Sequence, residues 1–597
     1  MTIKKLATLQ PHLLAVAVAL GTSSQAQAID FKIGEIRGQF DSSLSIGASW
    51  AVRGPDPDFV STSNVTGLRG NTGTRSADDN RQNFKKGETF SKIFKGLHDL
   101  ELKYGDSGVF VRGKYWYDFE LKDEHRLFYD IQDNGRDDLA KSSGAEFLDA
   151  FVYHNYTLGD LAGNVRVGKQ VVSWGESTFI GNSINSANPV DAAALRRPGS
   201  EVKEGLLPVS MLYVSQAVSE NFNVEAFYQL EWKKSVVDNC GTFFGVDPLP
   251  QGCNDRLVAA GPDFAQGDPR LNTIPGSAIF QRQDDDDARD SGQYGLALRW
   301  FVPQWDDMEL GAYVMNYHSR SPTLNFVQTT VPRNGSPIDK VRNSSYFVGY
   351  PEDIRLYGLS FSTNVEGVAL GGEISYRPNM PLGLNNADVN NAAINTATSP
   401  LFVAGHSTPN DPGSLVTGYK RMPVFQGQMS ATKSWSQILG GERLTVIGEV
   451  GYTRINGLGD ADGSDLRFGR SSIFGGGVIP GGDAANAGCL NTISNPQQQC
   501  NDKGFYTTSS WGYRVRVRQE YPNVIAGINL APNLAWSHDV DGTGPTFEEG
   551  TKAVSLGLDA DYRNTYTASL SYTDFFGGQF NTNTDRDYVS LSFGVNF

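Results

Sequence analysis

Charged side chains alternate with apolar ones in several segments of this chain. Arg514, Arg516 and Arg518 fall between apolar neighbours. In an extended strand, this alternation puts the charges on one face and the apolar groups on the other. Two interpretations stay open for the charged face: a wet interior held by ion pairs, or a substrate path with walls of mixed charge. The same pattern predicts inward positions for residues of other segments: Arg112, Lys114, Glu225, Glu231 and Glu449.

Motifs that could support catalysis are incomplete. Residues 105–108 read GDSG, as around a serine-protease nucleophile, but they link two strand patterns as a tight turn. Residues 174–177 read WGES and lack the second glycine of a nucleophile elbow. The sequence holds no H-E-x-x-H motif, and its histidines have no evident serine partner (His154, His318 and His538). We therefore predict no catalytic residue, metal site or cofactor; a hydrolase is the least favoured hypothesis.

The segment 173–206 differs from the other long connections. Asp191 can cap a short helix running through Arg197, which Pro198-Gly199 would end. Its charges are nearly balanced, which suits insertion into a wet interior. We predict that it folds inward as a plug or constriction, the alternative being an external surface loop. Its charges and aromatic anchors are Glu176, Arg196, Arg197, Glu201, Lys203 and Glu204, with Trp174 and Phe179.

These residues need a scaffold of many strands, and the sequence supplies one. Period-two alternation recurs along the chain, and connections alternate between short and long. It predicts an all-β fold: a transmembrane antiparallel up-and-down β-barrel of about 18 strands, with 16 as the alternative. Outer-membrane barrels have short periplasmic turns and long extracellular loops. A soluble sandwich would need neither this many strands nor this asymmetry. We predict strands over 510–530, with a bulge near Pro522, and over 533–540.

The beginning of the chain predicts export. Residues 1–28 combine Lys4 and Lys5, an apolar run, and an A-x-A site at residues 26–28, as in a cleaved signal peptide. Cleavage would change the formal charge from −15 to −17, because both lysines are lost. Residues 29–597 are then predicted to form a single barrel domain. An acidic exported chain is a poor nucleic-acid binder, so we expect no nucleic-acid partner.

The four cysteines form two local pairs in Gly/Pro/Asn-rich segments. Cys240 precedes Cys253, and Cys489 precedes Cys500. Exported proteins commonly use disulfides, which favours the bonds 240–253 and 489–500. The alternative is a four-cysteine zinc site, but no C-x-x-C spacing occurs.

Four motifs resemble one known family. They are the segment from "RVGKQVVSWGESTFIG" (which begins at Arg166) through Tyr213, "CGTFFGVDPLPQGC", "GGEISYRPNMPL" and "NLAPNLAWSHDV". The chain resembles, over nearly its whole mature length, the proteobacterial domain of unknown function 1302 (DUF1302) family. Lys169 departs from the arginine usual in that family, which keeps the charge but loses bidentate geometry. The resemblance implies an exported outer-membrane protein with no established activity. It adds Arg166 to the candidate lumen residues.

The leading hypothesis is a channel or export/uptake barrel for hydrophobic or amphipathic molecules. The resemblance adds two candidate partners, an envelope lipoprotein and a resistance-nodulation-division transporter. The alternative is a structural or assembly protein whose loops bind partners. Outer-membrane lipid and the barrel-assembly machinery are expected partners in a Gram-negative outer membrane. A terminal aromatic is the signal that this machinery reads in outer-membrane barrels, so Phe597 is the predicted assembly signal.

Overall fold

The computed structural model describes residues 29–63, 65–72, 74–75, 77–245, 248–254, 257–261, 275–492 and 495–597. The predicted signal peptide, residues 1–28, lies outside the described residues. Within the described ranges, no helix has the length and apolar content needed to cross a membrane.

Eighteen strands form one closed antiparallel ring. Each strand pairs with its neighbours in sequence, and β18 returns to pair with β1. The prediction of 18 strands is confirmed and the alternative of 16 is wrong. The strands are β1 (Ile36–Ala51), β2 (Thr89–Tyr104), β3 (Ser107–Asp118), β4 (Ser143–Leu158), β5 (Leu161–Gln170), β6 (Val209–Ser219), β7 (Phe222–Gln229), β8 (Tyr294–Val302), β9 (Met308–Tyr317), β10 (Ile354–Val365), β11 (Val368–Gly383), β12 (Tyr419–Ser436), β13 (Arg443–Ile455), β14 (Ser509–Ile525), β15 (Ile528–Asp541), β16 (Lys552–Tyr562), β17 (Tyr566–Phe576) and β18 (Tyr588–Asn596).

Short and long connections alternate around this ring, as predicted. The short-turn end carries connections such as 105–106, 159–160 and 366–367, and a further strand, Ile29–Ile33, pairs with β1 there. The long-loop end carries the others: 52–88, 119–142, 171–208, 230–293, 318–353, 384–418, 456–508, 542–551 and 577–587.

The turn between β14 and β15 differs from its predicted position. The connection expected at Ala531-Pro532 lies instead at Ala526-Gly527, both in the left-handed region at φ 51° and 90°. Positive φ values at both central residues match the right-handed twist of a two-residue hairpin, and glycine adopts them without strain. Pro532 lies inside β15. The predicted irregularity near Pro522 is present as a register shift between Tyr521 and Ile525.

The outer wall of the ring is apolar. Leu556, Leu570 and Phe593 are 52%, 48% and 51% exposed on one parity of β16, β17 and β18. Tyr562 and Tyr566 stack at the hairpin between β16 and β17, with ring centroids 6.3 Å apart. A tilted strand of about ten residues covers the apolar thickness of a bilayer. The outer wall therefore suits lipid.

The long loops carry their own short elements and an apolar core. Phe326 and Tyr346 are among the fully buried side chains of this core. The strand pairs and sheets are Val258–Ala260 with Ala278–Ile279, and Gln281–Arg282, Ser345–Gly349, Thr323–Val327 and Leu415–Val416. The helices are Asp79–Gln82, Phe119–Asp123, Ala192–Arg196, Pro337–Asn343, Asn386–Ala393, Pro400–Val403, Gly482–Ala485, Ala487–Thr492 and Pro496–Gln499, with single 3₁₀ turns at Pro57–Phe59, Asp138–Ala140, Val202–Glu204 and Ser472–Phe474.

Both predicted disulfides are present. The S–S distance is 2.09 Å for Cys240–Cys253 and 1.97 Å for Cys489–Cys500. Each bond closes a loop at the long-loop end of the ring.

Candidate functional site

The segment 173–206, here called the lumen segment, contacts the inner face of strands around much of the ring. Its first half, 173–184, reaches β11 and β13 through two glutamates, Glu373 and Glu449. Both carboxylates belong to residues that are only 3% exposed. A buried carboxylate requires hydrogen-bond donors, and the backbone of the lumen segment supplies them.

Glu449 accepts hydrogen bonds from three consecutive backbone amides. The N–H groups of Thr178, Phe179 and Ile180 donate to its two oxygens at 2.9, 2.6 and 2.8 Å. Successive N–H groups that converge on one carboxylate form charge-assisted bonds, which are stronger than neutral ones. Glu449 therefore fixes the tip of the first half against β13.

Glu373 on β11 holds the same half from the neighbouring side. Its carboxylate accepts hydrogen bonds from the backbone of Glu176, Ser177 and Ile184 at 2.5, 3.2 and 3.2 Å. Arg377 lies on the same face of β11 and donates to the carbonyl oxygens of Asn182 and Ser183, at 2.9 and 2.6 Å. The chain thus turns back on itself inside the ring.

A third anchor lies on β7. The Trp174 indole N–H donates to the Glu225 carboxylate at 2.7 Å, and Arg299 donates to the other oxygen at 2.8 Å. Arg299 also bonds to Glu309 at 2.6 Å. Burial raises the pKa of the nearby Glu176 carboxyl, and the positive charge of Arg299 opposes that rise.

The second half of the lumen segment lies on the opposite side of the ring. Asp191 caps the helix Ala192–Arg196 by accepting from the Ala194 N–H at 2.8 Å, and its other oxygen pairs with Lys114 of β3 at 3.1 Å. Glu204 forms a buried ion pair with Lys95 of β2. A Cβ added at Gly199 would lie 3.1 Å from the Cβ of Ser592 on β18.

Most of the residues predicted to point inward contact other side chains on the inner face of the ring. Arg112 bonds to Asp99 at 2.7 and 2.8 Å and to Asp149 at 3.2 Å, so one cation serves two carboxylates. The remaining contacts are Arg166 over the Tyr213 ring at 5.2 Å, Arg197 over the Trp116 ring at 5.0 Å, Lys203 with Glu201 at 3.2 Å, Arg514 with Asp539 at 2.7 Å and Arg518 with Asp559 at 2.7 Å. Among the described residues, no ion pair involves Arg516.

Glu231 is the exception. The strand β7 ends at Gln229, so Glu231 lies two residues beyond the end of its strand. Its carboxylate accepts instead from the Ser210 N–H at 2.9 Å and lies 3.9 Å from Lys233. Both contacts lie at the rim of the ring.

Two cavities have Arg196 in their linings. The first, here the lumen cavity, has a volume of about 690 Å³ and lies between residues 195–200 and the inner faces of β14 to β18. The second, here the loop cavity, has a volume of about 290 Å³ and lies among loop residues such as Arg81, Phe243 and Arg586. Arg196 lines both. It pairs with Asp238, and its guanidinium lies 4.9 Å from the Phe244 ring centroid.

The histidines considered for hydrolysis lie apart from these cavities. His154 Nδ1 is 2.9 Å from the Ser107 hydroxyl, at an exposed position beside the apolar outer wall. His318 accepts from the Asp353 N–H at 3.0 Å, and His538 packs against Tyr513. None of the three joins a serine–histidine–acid arrangement within the described ranges. These ranges also contain no group of three or more His, Cys, Asp or Glu that could hold a metal ion.

Sequence reasoning missed Glu373, Arg299 and Arg377. All three lie on inward parities of predicted strands, so strand alternation could have identified them. Phe597 was predicted only as an assembly signal. In the structure its N–H donates to the Ser42 carbonyl oxygen at 2.9 Å and its own carbonyl accepts from the Ser42 N–H at 2.7 Å, which extends the pairing of β18 with β1.

Comparisons with known proteins give one family and several distant structures. The model of a family described as "Protein of unknown function (DUF1302)" matches residues 9–597. No curated protein matches the chain. OccAB1 of Acinetobacter baumannii is similar at 10% identity and a TM-score of 0.40, over 96% of this chain and 98% of that one. The outer membrane channel DcaP of the same organism is similar at 10% identity and a TM-score of 0.34, over 95% of this chain and 99% of that one. OpdK of Pseudomonas aeruginosa, solved with vanillate, is similar at 9% identity and a TM-score of 0.36, over 94% of this chain and 98% of that one.

Proposed function

The chain belongs to the DUF1302 family, and we propose that it is an outer-membrane channel that passes small amphipathic or polar solutes. The single observation that carries the proposal is the lumen cavity. A ring of 18 strands has an interior wide enough for an aqueous channel. The lumen segment fills one part of this interior and leaves the cavity against β14 to β18.

The lining of the lumen cavity supports this choice of solute. Hydroxyl and charged side chains predominate on the strand side, among them Ser571, Ser590, Arg518 and Asp559. A fully apolar molecule would gain little here, because it would displace water from polar groups without replacing their hydrogen bonds. Of the hydrophobic and amphipathic solutes predicted from the sequence, the lining therefore favours the amphipathic ones. In this proposal the lumen segment constricts the channel.

Conductance in a planar lipid bilayer tests the proposal. Purified full-length protein should give discrete conductance steps. Ser571→Trp puts a bulky ring into the lumen cavity and should remove most of the conductance. Leu570→Trp changes the adjacent residue on the outer wall and should leave it unchanged. Absence of steps from folded wild-type protein would overturn the proposal.

A second candidate function is structural, and the many hydrogen bonds that hold the lumen segment favour it. A protein of that kind would give no conductance and would bind other envelope components through its loops. The proposed partners are an envelope lipoprotein and a resistance-nodulation-division transporter. Cross-linking in cells followed by pull-down of either partner would distinguish this candidate from the channel.

We propose that the protein lies in the outer membrane, because its outer wall is apolar and its last residue, Phe597, is aromatic. In this proposal the assembly machinery recognises the terminal strand β18. Deleting Phe597 should lower the amount of protein in outer-membrane fractions, whereas Phe597→Tyr should not. Equal amounts of the wild-type and deleted proteins would contradict this assembly role.

A further inference from the structure

The loop cavity has an unusual distribution of charge. Three arginines line it, Arg81, Arg196 and Arg586, and its lining contains no aspartate or glutamate among the described residues. The chain as a whole is acidic, with a formal charge of −15. A concave site that concentrates one sign of charge attracts ligands of the opposite sign.

Arg586 is the central group, because two nitrogens of its guanidinium lack a hydrogen-bond partner among the described residues. The residue is 3% exposed, yet neither Nε nor Nη2 has a hydrogen-bond partner among the described residues. Its nearest carboxylate is Asp585, 3.5 Å from Nε. A buried cation normally has several partners, so two unpartnered nitrogens on one guanidinium require a physical explanation.

Asp585 cannot satisfy Arg586, since it is already engaged by Arg81. Arg81 donates to its two oxygens from Nε and Nη2 at 2.9 and 3.2 Å. Two cations therefore share the Asp585 carboxylate, and Arg81 holds both of its oxygens. Burial lowers the pKa of Arg586 to about 9, so the guanidinium still carries its charge at neutral pH.

The unpartnered atoms also have a specific shape. The Nε and Nη2 groups form one edge of the planar guanidinium, and this edge matches the two oxygens of a carboxylate as a bidentate pair. Beside it, the Arg586 guanidinium lies 4.6 Å from the centroid of the Phe243 ring, and Phe244 packs edge-on against Phe243 at 4.9 Å. Leu257 and Leu324 extend this apolar wall.

We propose that the loop cavity binds the carboxylate of a small amphipathic anion through Arg586, with its apolar or aromatic body against Phe243 and Phe244. The volume of about 290 Å³ suits a single ring or a short chain. This inference rests on the proposed channel function, since the cavity would capture the solute just before Arg196 and the lumen cavity.

Benzoate binding to the purified full-length protein, measured by calorimetry, tests the inference. Benzoate should bind, and neutral benzamide of the same shape should bind at least about tenfold more weakly, because it cannot form a charged bidentate pair. Inorganic phosphate, which has no apolar body, should also bind more weakly than benzoate. Equal binding of benzoate and benzamide would overturn the charge recognition. Equal binding of benzoate and phosphate would overturn the role of the apolar wall.

Variants locate the site. Arg586→Gln should lower benzoate affinity about tenfold or more, and Arg586→Lys should lower it less. Arg53→Gln is the matched control, because Arg53 pairs with Asp574 and Asp587 in the same region but does not line the cavity. Unchanged benzoate affinity in Arg586→Gln would overturn the assignment, provided that the variant keeps the wild-type thermal unfolding midpoint. If Arg586→Gln is unstable, the Arg586→Lys variant carries the same test.

Bilayer conductance of the same preparations separates this inference from the channel proposal. Conductance without benzoate binding would overturn the loop cavity as a carboxylate site and leave the channel standing. Benzoate binding without conductance would support the site and overturn the channel.

Discussion

The loop cavity and the lumen cavity share Arg196 but differ in charge. The loop cavity has three arginines and no acid in its described lining, whereas the lumen cavity mixes both signs. A cavity of one sign holds a counter-charged solute, and a cavity of mixed sign lets it move because no single group dominates. Under the proposed function, the loop cavity selects the solute and the lumen cavity passes it. The charged residues of the lumen cavity are Arg196, Arg197, Arg518, Glu442, Glu520, Asp559 and Asp561.

Releasing the lumen segment from the wall should have the largest effect, and this effect should be on the conductance through the lumen cavity. Substituting both Glu373 and Glu449 with alanine removes the acceptors of six backbone N–H groups. Each unsatisfied buried group costs about 1–3 kcal/mol, so the first half should leave the wall. Single-channel conductance should rise several-fold towards that of an unplugged ring.

The control for this release is Glu101→Ala. Glu101 of β2 pairs with Lys103 and accepts a hydrogen bond from the Tyr153 hydroxyl at 2.7 Å, and it is not part of the described lining of the lumen cavity. Its conductance should stay near the wild-type value. If the double variant folds and conducts like the wild type, the lumen segment does not limit passage.

Charge reversal at Arg196 should have the next largest effect. Arg196→Glu places an acid in the linings of both cavities, so the permeability ratio of anions to cations should fall about tenfold. Arg518→Glu is the matched comparison in the lumen cavity. It should change the ratio about twofold or less, because four acidic side chains already line that cavity. Reversal potentials under a salt gradient measure the permeability ratio of each variant. Equal shifts of the reversal potential in the two variants would remove the distinction between the cavities.

Breaking the disulfide Cys240–Cys253 should affect one cavity alone. The bond closes a segment with a separation of 13 residues that contains Phe243 and Phe244, and a loop of this size is stabilised by about 3 kcal/mol. The Cys240→Ser/Cys253→Ser variant should bind benzoate several-fold more weakly, while its conductance stays unchanged. The control is the Cys489→Ser/Cys500→Ser variant, whose disulfide lies outside the described lining of either cavity. Equal loss of benzoate affinity in both variants would contradict a specific role of the Phe243 segment.

The smallest expected effect is a pH dependence at Glu548, outside both cavities. Burial, with a contribution from Asp539, raises the pKa of Glu548 to about 7. The folded state holds this proton more tightly than the unfolded state does. The contribution of Glu548 to the free energy of unfolding is therefore fully present below pH about 4.5 and is lost as the pH rises through about 7. Relative to Glu548→Gln, the wild-type thermal midpoint should fall over that window by on the order of 1 °C. Parallel curves for the two proteins would contradict the shifted pKa.

Strand number, loop asymmetry and disulfides were predictable from the sequence because each depends on local chemistry. Alternation marks a strand wherever one face meets lipid, and Cys240 lies near Cys253 in the chain. The misplaced turn has an equally physical cause. The turn at Ala526-Gly527 lacks a strong turn pair, so Pro532 was mistaken for the break.

Contacts of the candidate site were harder to predict. Glu449 was expected to face inward, but its partners are backbone amides of Thr178 to Ile180, which carry no side-chain signal. Two nitrogens of Arg586 lack hydrogen-bond partners because Arg81, which lies far away in the chain, donates to both oxygens of Asp585. Competition between two distant cations for one carboxylate is set by tertiary packing, and residue spacing does not reveal it.

The hydrogen bonds between Phe597 and Ser42 have a consequence for the order of folding. Every other junction of the ring joins strands that are neighbours in sequence, whereas the junction of β1 with β18 joins the two ends of the sheet. This closure cannot form until the last strand has been added, and it carries the largest loop-closure entropy in the protein. An incomplete sheet would expose two unpaired edges. The rate of ring closure, followed by cross-linking a cysteine pair across this junction, should therefore govern the appearance of the mature fold.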